Sequence, residues 1–293
     1  MSPHPPSPDT ETRRATRRGI RLMVAGMCCF IANDAIVKLV SASLPAGQLI
    51  FVRGLMATAL VLLALWHSGA ALQARQLLRG RVPLRAALDA GATFSYLLSL
   101  FHLPIANATA INMATPLVIT LIAVAALGAR LRPIQLLAIV GGFGGVLLVI
   151  QPSSAGFNAW AWLCLLATLL HALRDLVTTR IAREVPAIGI TLATSVAVTG
   201  IAGLITLAQG WQPMSTRAFG LLALAAVFLA AGYHLVIRAT RSGELALVSP
   251  FRYSGLLMAV ALGWLLWGEV PNALAWAGIA LVMGAGWTLL RHR

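Results

Sequence analysis

What most constrains this 293-residue chain is that ten long apolar stretches nearly fill it, separated by short polar gaps. They run over residues 20–40, 46–66, 84–103, 105–127, 134–150, 159–177, 188–207, 219–237, 245–267 and 273–290. Each is about 17–23 residues long, the length a helix needs to cross about 30 Å of hydrocarbon. With 59% apolar residues and a mean hydropathy of +0.86, the chain cannot be an ordinary soluble domain. The spacing predicts an all-α polytopic membrane protein with ten transmembrane helices.

The basic residues set its orientation. Arg13, Arg14, Arg17, Arg18 and Arg21 precede the first stretch, and Arg75, Arg79, Arg81 and Arg85 lie between or beside the second and third. Arg130 and Arg132 follow the fourth, Arg174, Arg180 and Arg183 surround the end of the sixth, and Arg238 and Arg241 follow the eighth. Arg291 and Arg293 end the chain, so that alternate gaps hold 18 of the 22 Lys and Arg residues. The opposite gaps hold only Arg217. Basic residues stay cytoplasmic during insertion, which puts both termini inside and requires an even number of spans. The net charge of +14 therefore reads as topology determinants facing anionic lipid, not as nucleic-acid binding.

Residues 1–19, with a Pro- and Thr-rich start, read as a short disordered cytoplasmic tail. The first apolar run is too long for a signal-peptide core and reads as a retained helix. Cys28, Cys29 and Cys164 fall inside apolar spans, as packing residues and not as a disulfide framework or metal cluster. No gap exceeds about 20 residues and no phosphate-binding loop occurs, which argues against ATP-driven work by this chain alone. Gly141, Gly142, Gly144 and Gly145 lie in the fifth span, where small residues let helices approach closely.

The chain also repeats itself. Asn33-Asp34 is followed eleven residues later by Pro45, and Arg174-Asp175 by Pro186 at the same distance. Ala114-Thr115-Pro116 in the fourth span resembles Val248-Ser249-Pro250 in the ninth. The span ends Gly128-Ala129-Arg130 and Trp267-Gly268-Glu269 lead through Pro133 and Pro271 into the fifth and tenth. Two repeats follow, at 20–150 and 159–290. Five spans per half is an odd number, so the second half must enter the membrane from the opposite side. Inverted repeats of this kind let one fold favour two mirror-related states around a site near the midplane, which is the organisation of a carrier.

On these features the chain resembles the drug/metabolite transporter superfamily, EamA type, over residues 20–290. The resemblance is carried by the two five-helix repeats, by Pro45-Ala46-Gly47-Gln48 with Phe51-Val52-Arg53, by Ala114-Thr115-Pro116, and by Ser249-Pro250, Gly268-Glu269 and Pro271. The branch it is similar to is that of bacterial aromatic amino-acid exporters. Where the family commonly has Trp or Gly-Ser in the middle of the first helix, Ala32-Asn33-Asp34 stands here. The resemblance implies a ten-helix basket around a central cavity, in the bacterial inner membrane, with no cofactor and as a monomer or weak dimer. It also implies export of small metabolites by alternating access, amino acids foremost, aromatic and others. The alternative within the superfamily is a flippase or exchanger for lipid-linked or phosphorylated metabolites, which would use Arg53 or Arg252 for phosphate.

Ionisable groups inside a bilayer are costly, which marks them as functional candidates. Asp34 and Lys38 are four apart, on one helix face, with the acid N-terminal as an ion pair prefers. With Arg53 they fall in the outer half, whereas Arg174, Asp175, His234 and Arg252 fall in the inner half. One reading is a pair of polar gates flanking the cavity. The blander one is pairs that neutralise themselves, with Lys38 and Arg174 snorkelling to the interface. For the cavity, depth selects Tyr96, Ser99, Asn112, His171, Tyr233 and Tyr253, whose rings and hydrogen-bonding groups suit a zwitterion with an apolar side chain. Trp66, Trp160, Trp162, Trp211, Trp264 and Trp267 lie near span ends, as an interfacial belt does, and His102 could serve either region. No metal-ligand spacing and no Ser/His/Asp set at one depth favours an enzyme, and inverted repeats suit a carrier better than a continuous channel.

Overall fold

A chain in hydrocarbon must satisfy every backbone N–H and C=O without water, and helices do so internally. The structure, a computed structural model, describes residues 8–68, 80–127, 132–151, 159–181, 185–240 and 248–291. All regular structure among these residues is helical. In order it comprises α1 (Pro8–Ser41), α2 (Ala46–Ser68), α3 (Val82–His102), α4 (Ile105–Asn112), α5 (Thr115–Leu127) and α6 (Pro133–Ile150). There follow α7 (Ala159–Thr178), α8 (Ala187–Gln209), α9 (Thr216–Thr240), a 3-10 turn (Ser249–Tyr253), α10 (Ser254–Trp267) and α11 (Ala273–Arg291).

Seven helical segments are long and apolar enough to cross a membrane: Arg14–Ser41, Ala46–His67, Ile105–Ile122, Pro133–Ile150, Ala159–Thr178, Ile188–Gln209 and Thr216–Ala239. The bundle is also inside-out relative to a soluble protein. Leu63, Leu137, Leu204, Leu207 and Leu265 are exposed, whereas Asn33, Gln48, Arg53 and Asp89 are buried. That arrangement suits a hydrocarbon solvent, and the chain is a multi-pass membrane protein.

Two expected spans are not continuous helices. The stretch 105–127 breaks at Met113-Ala114 because Pro116 has no N–H to give to the Asn112 carbonyl; Thr115 Oγ donates to it instead, at 2.6 Å. Leu117 N–H turns back to Ala114 O at 2.9 Å, and Met113 O accepts the Tyr253 hydroxyl at 3.4 Å. The ninth stretch likewise opens with the Pro250-containing 3-10 turn before α10 begins. The leader differs as well. Residues 8–19 continue α1 because Glu11, Ala15 and the arginines 13, 14, 17 and 18 are good helix formers. The remaining leader residues 1–7, Arg75, Arg79, Arg130, Arg183, Arg241, Arg293, the Gly128-Ala129-Arg130 span end and residues 245–247 lie outside the described residues.

The main packing partners are α1 with α9, α3 with α7, α2 with α8 and α6 with α11. In addition α2 packs on α9 and α3 on α8, α1 lies against the 3-10 turn and α10, and α7 lies against α4 and α5. Exchanging the first half of the chain for the second returns α2 with α8 and α6 with α11 to themselves and turns each of the other pairs into another member of the set. Close approach of α6 to α11 uses two of the four α6 glycines. A side chain at Gly145 would strike the Gly278 carbonyl, and one at Gly142 would strike Leu117 and Ala285. Gly141 and Gly144 face open space, so the expected role of small residues holds only for the other two.

Candidate functional site

A cavity of about 330 Å³ lies within the bundle and is lined by both halves of the chain. Both helix breaks face it, through Asn112, Thr115 and Pro116 on one side and Arg252 and Tyr253 on the other. Irregular backbone at membrane depth is tolerated where protein buries it or a cavity solvates it.

One polar network joins α1, α2 and α3. Tyr96 donates its hydroxyl to Asp34 Oδ2 at 2.9 Å, and Asn33 Nδ2 donates to Asp34 Oδ1 at 2.9 Å. Asn33 Oδ1 in turn accepts Arg53 Nη1 at 3.1 Å. Arg53 is only 5% exposed, and its Nε, sealed from solvent, has no hydrogen-bond partner among the described residues. A second network joins α3, α7 and α8. Arg174 pairs with Asp89 at 2.7 Å and with Asp175 at 2.8 Å, and Arg85 approaches Asp89 at 3.4 Å. Arg85 also donates to Thr178 Oγ1 at 3.0 Å and to Thr194 Oγ1. Beside these, His171 Nδ1 donates to Asn112 Oδ1 at 2.8 Å.

Aromatic rings supply the remaining wall. Phe30 and Tyr233 meet edge to face with centroids 5.0 Å apart, and Tyr96 and His171 lie 6.4 Å apart. The lining holds four arginines (53, 85, 174 and 252) against three aspartates (34, 89 and 175). Such a lining can meet both the charged groups and the apolar body of a small amphiphilic substrate, and its excess of guanidinium over carboxylate favours an anionic group over a second cation.

Of the residues selected by depth, Tyr96, Asn112, His171, Tyr233 and Tyr253 line the cavity. Ser99 does not; it is fully buried and its Oγ returns to Ser95 O at 2.7 Å. Asp34, Arg53, Asp175 and Arg252 line the same cavity, while His234 faces outward and lies outside the lining. The expected Asp34–Lys38 pair is not formed. Asp34 is engaged by Tyr96 and Asn33, and Lys38 donates to Glu269 Oε1 at 2.7 Å and to Leu103 O at 2.6 Å. The ammonium also lies 4.8 Å from the Trp267 ring, which draws that tryptophan out of a purely interfacial role. Arg174 does not snorkel, since two carboxylates hold it. His102 stacks on Trp160 at 3.6 Å, and Cys164 is buried in helix packing.

Sequence reasoning missed Arg85, Asp89 and Glu269 as site chemistry. Asp89 had a signal: an acid inside the third apolar stretch, four residues after Arg85, with the spacing that had singled out Asp34 and Lys38. Glu269 stands at a span end, where the sequence marks it only as part of the repeat and of the Gly268-Glu269 family motif.

A membrane-embedded helical bundle whose broken helices from both halves face one polar cavity defines a carrier of small molecules. Comparison with known proteins gives the family. The chain matches the EamA-like transporter family over residues 17–151 and again over 158–291, and it belongs to that family. It is a membrane transporter. It is 28% identical over 285 residues to the pseudopaline exporter CntI of Pseudomonas aeruginosa, covering 94% of this chain and 97% of the relative. It is 30% identical over 208 residues to a riboflavin transporter of Rhizobium johnstonii, covering 71% of this chain and 69% of that one. An S-adenosylmethionine uptake transporter of Rickettsia conorii is 22% identical over 269 residues, covering 90% of each chain. A solved crystal structure superposes with a TM-score of 0.64 at 16% identity, covering 94% of this chain and 96% of the other, and so shares the fold.

Proposed function

We propose that this transporter exports small zwitterionic metabolites, foremost amino acids with apolar or aromatic side chains, by alternating access. In this reading the repeats at 20–150 and 159–290 are inverted and cross the bacterial inner membrane ten times. The fourth crossing comprises α4 and α5, the ninth comprises the 3-10 turn and α10, and both termini are cytoplasmic. The alternating arginines support the orientation, and the exchange of packing partners between halves supports the inversion. Asp34, Lys38, Arg53, Asp175 and Arg252 act in binding or gating, and Tyr96, Asn112, His171, Tyr233 and Tyr253 hold the substrate.

The observation that carries the substrate reading is the cavity's composition. Guanidinium and carboxylate groups share the lining with the rings of Phe30, Tyr96 and Tyr233. The relatives are named for three different cargoes, so the choice rests on this lining. Proteoliposomes containing the purified protein and loaded with labelled phenylalanine, methionine, threonine, riboflavin or a nucleotide sugar test it. Efflux of the amino acids, phenylalanine fastest, is expected. Efflux confined to the nucleotide sugar or to riboflavin would overturn the reading.

A further inference from the structure

We infer that Arg53 is the docking group for a substrate carboxylate, which deepens the proposed function and rests on it. The inference starts from an unusual partner set. Arg53 is 95% buried, being 5% exposed, and lines the central cavity. Its one hydrogen bond among the described residues goes to a neutral amide, Asn33 Oδ1, at 3.1 Å. Its Nε donor is unused. A buried guanidinium with an idle donor is costly, and burial is sustained only where a charged partner is supplied.

The protein does not supply that partner directly. Asp34, the nearest acid in chain terms, is occupied by Tyr96 and by the donor side of the Asn33 amide. Asn33 therefore stands between carboxylate and guanidinium. Its amide is oriented by Asp34 and its oxygen holds Nη1; Nε is sealed within the protein, and the part of Arg53 that lines the cavity is left for a ligand. The contrast with Arg174 is informative. That arginine meets Asp89 and Asp175 with all three of its nitrogens, and is saturated. A guanidinium that reaches a cavity with only a neutral hydrogen-bond partner is complementary to a carboxylate. The adjoining pair of Phe30 and Tyr233 rings offers the apolar body a place to lie. Arg53 thus serves as a binding residue, with Asn33 and Asp34 positioning it.

The test uses matched compounds that differ only at the carboxyl group. Thermal unfolding of the purified full-length protein is measured with phenylalanine, phenylalaninamide and 3-phenylpropionate, for the unmodified protein, Arg53→Gln and Arg53→Lys. The two carboxylates are expected to raise the unfolding temperature and the amide is not. Arg53→Gln should weaken carboxylate binding about 10- to 100-fold, the loss of one charged hydrogen-bonding partner, and Arg53→Lys should restore part of it. Equal stabilisation by acid and amide, no stabilisation by either, or full carboxylate binding in Arg53→Gln would overturn the inference. The same compounds in efflux assays separate the two claims. Arg53-dependent carboxylate binding without amino-acid transport would leave the subsite standing and remove the proposed cargo.

Discussion

Replacing Glu269 by Gln should loosen the end of the bundle that Lys38 and Glu269 hold together. At that end Lys38 joins the C-terminal part of α1 to Glu269 after α10 and to Leu103 after α3. Glu269 Oε2 also accepts the Ile105 N–H at 3.0 Å, fixing the start of α4. The side chains are 8% and 22% exposed, so the pair is neither fully buried nor solvated. Breaking a buried pair costs about 3–5 kcal/mol and an exposed one at most about 1, which places this change near 2–3 kcal/mol. The closed state bears that cost, because opening this end lets the stranded ammonium hydrate. The open population should rise by a factor of about 30–150. A single cysteine at Ile31, which lines the cavity, would report the change in a background lacking Cys28, Cys29 and Cys164. An impermeant maleimide applied from the Glu269 side should label it faster in Glu269→Gln. The double change Lys38→Met with Glu269→Leu, which removes both charges and keeps apolar volume, should return labelling toward the starting rate. Unchanged labelling in Glu269→Gln, or equally fast labelling in the double variant, would refute the argument.

Two further outcomes follow from the same structure. Asp89→Asn should lower stability in detergent by about 3 kcal/mol, since it leaves Arg85 with no carboxylate and Arg174 with only the half-exposed Asp175. Asp175→Asn should cost about 1, because that carboxylate is 37% exposed; comparable losses in a denaturation series would count against this assignment. Gly145→Ala places a methyl group against the Gly278 carbonyl and should cost about 1–3 kcal/mol. Gly144→Ala, facing open space, should cost nothing measurable in the same melts.

The helical class was legible because hydrocarbon leaves the backbone no other way to satisfy itself, and apolar length reports this directly. The breaks at Met113-Ala114 and at the 3-10 turn were not, because apolar residues continue through both and hydropathy is blind to a missing N–H at Pro116. The polar site was legible residue by residue but not pair by pair. Asp34 and Lys38 share a helix face, yet the i,i+4 rule lost to a carboxylate 231 positions away in the chain. Local spacing decides only when no tertiary partner competes, and a buried lysine takes the stronger acceptor. Ser99 failed for a related reason. Depth along a helix locates a residue between the two faces of the membrane, but rotation about the helix axis decides whether it meets a cavity or a neighbouring helix.

The two halves correspond in packing but not in charge, and this difference has a mechanical meaning. Aligning Asn33-Asp34 with Arg174-Asp175 sets Lys38 against Thr179. Aligning Gly268-Glu269 with Ala129-Arg130 sets Glu269 against Arg130. The position equivalent to the Lys38–Glu269 pair therefore holds a hydroxyl and a guanidinium, which have no opposite charges to join. Thr179 satisfies its hydroxyl within its own turn, on Leu176 O at 2.7 Å. If the halves are inverted repeats, their apolar periodicity makes the two end-closed states alike in fold, and the charged residues make them unequal in energy. The Glu269 end has the Lys38–Glu269 contact, whereas the charges of the opposite half are gathered in the Arg85, Asp89, Arg174 and Asp175 cluster between α3 and α7.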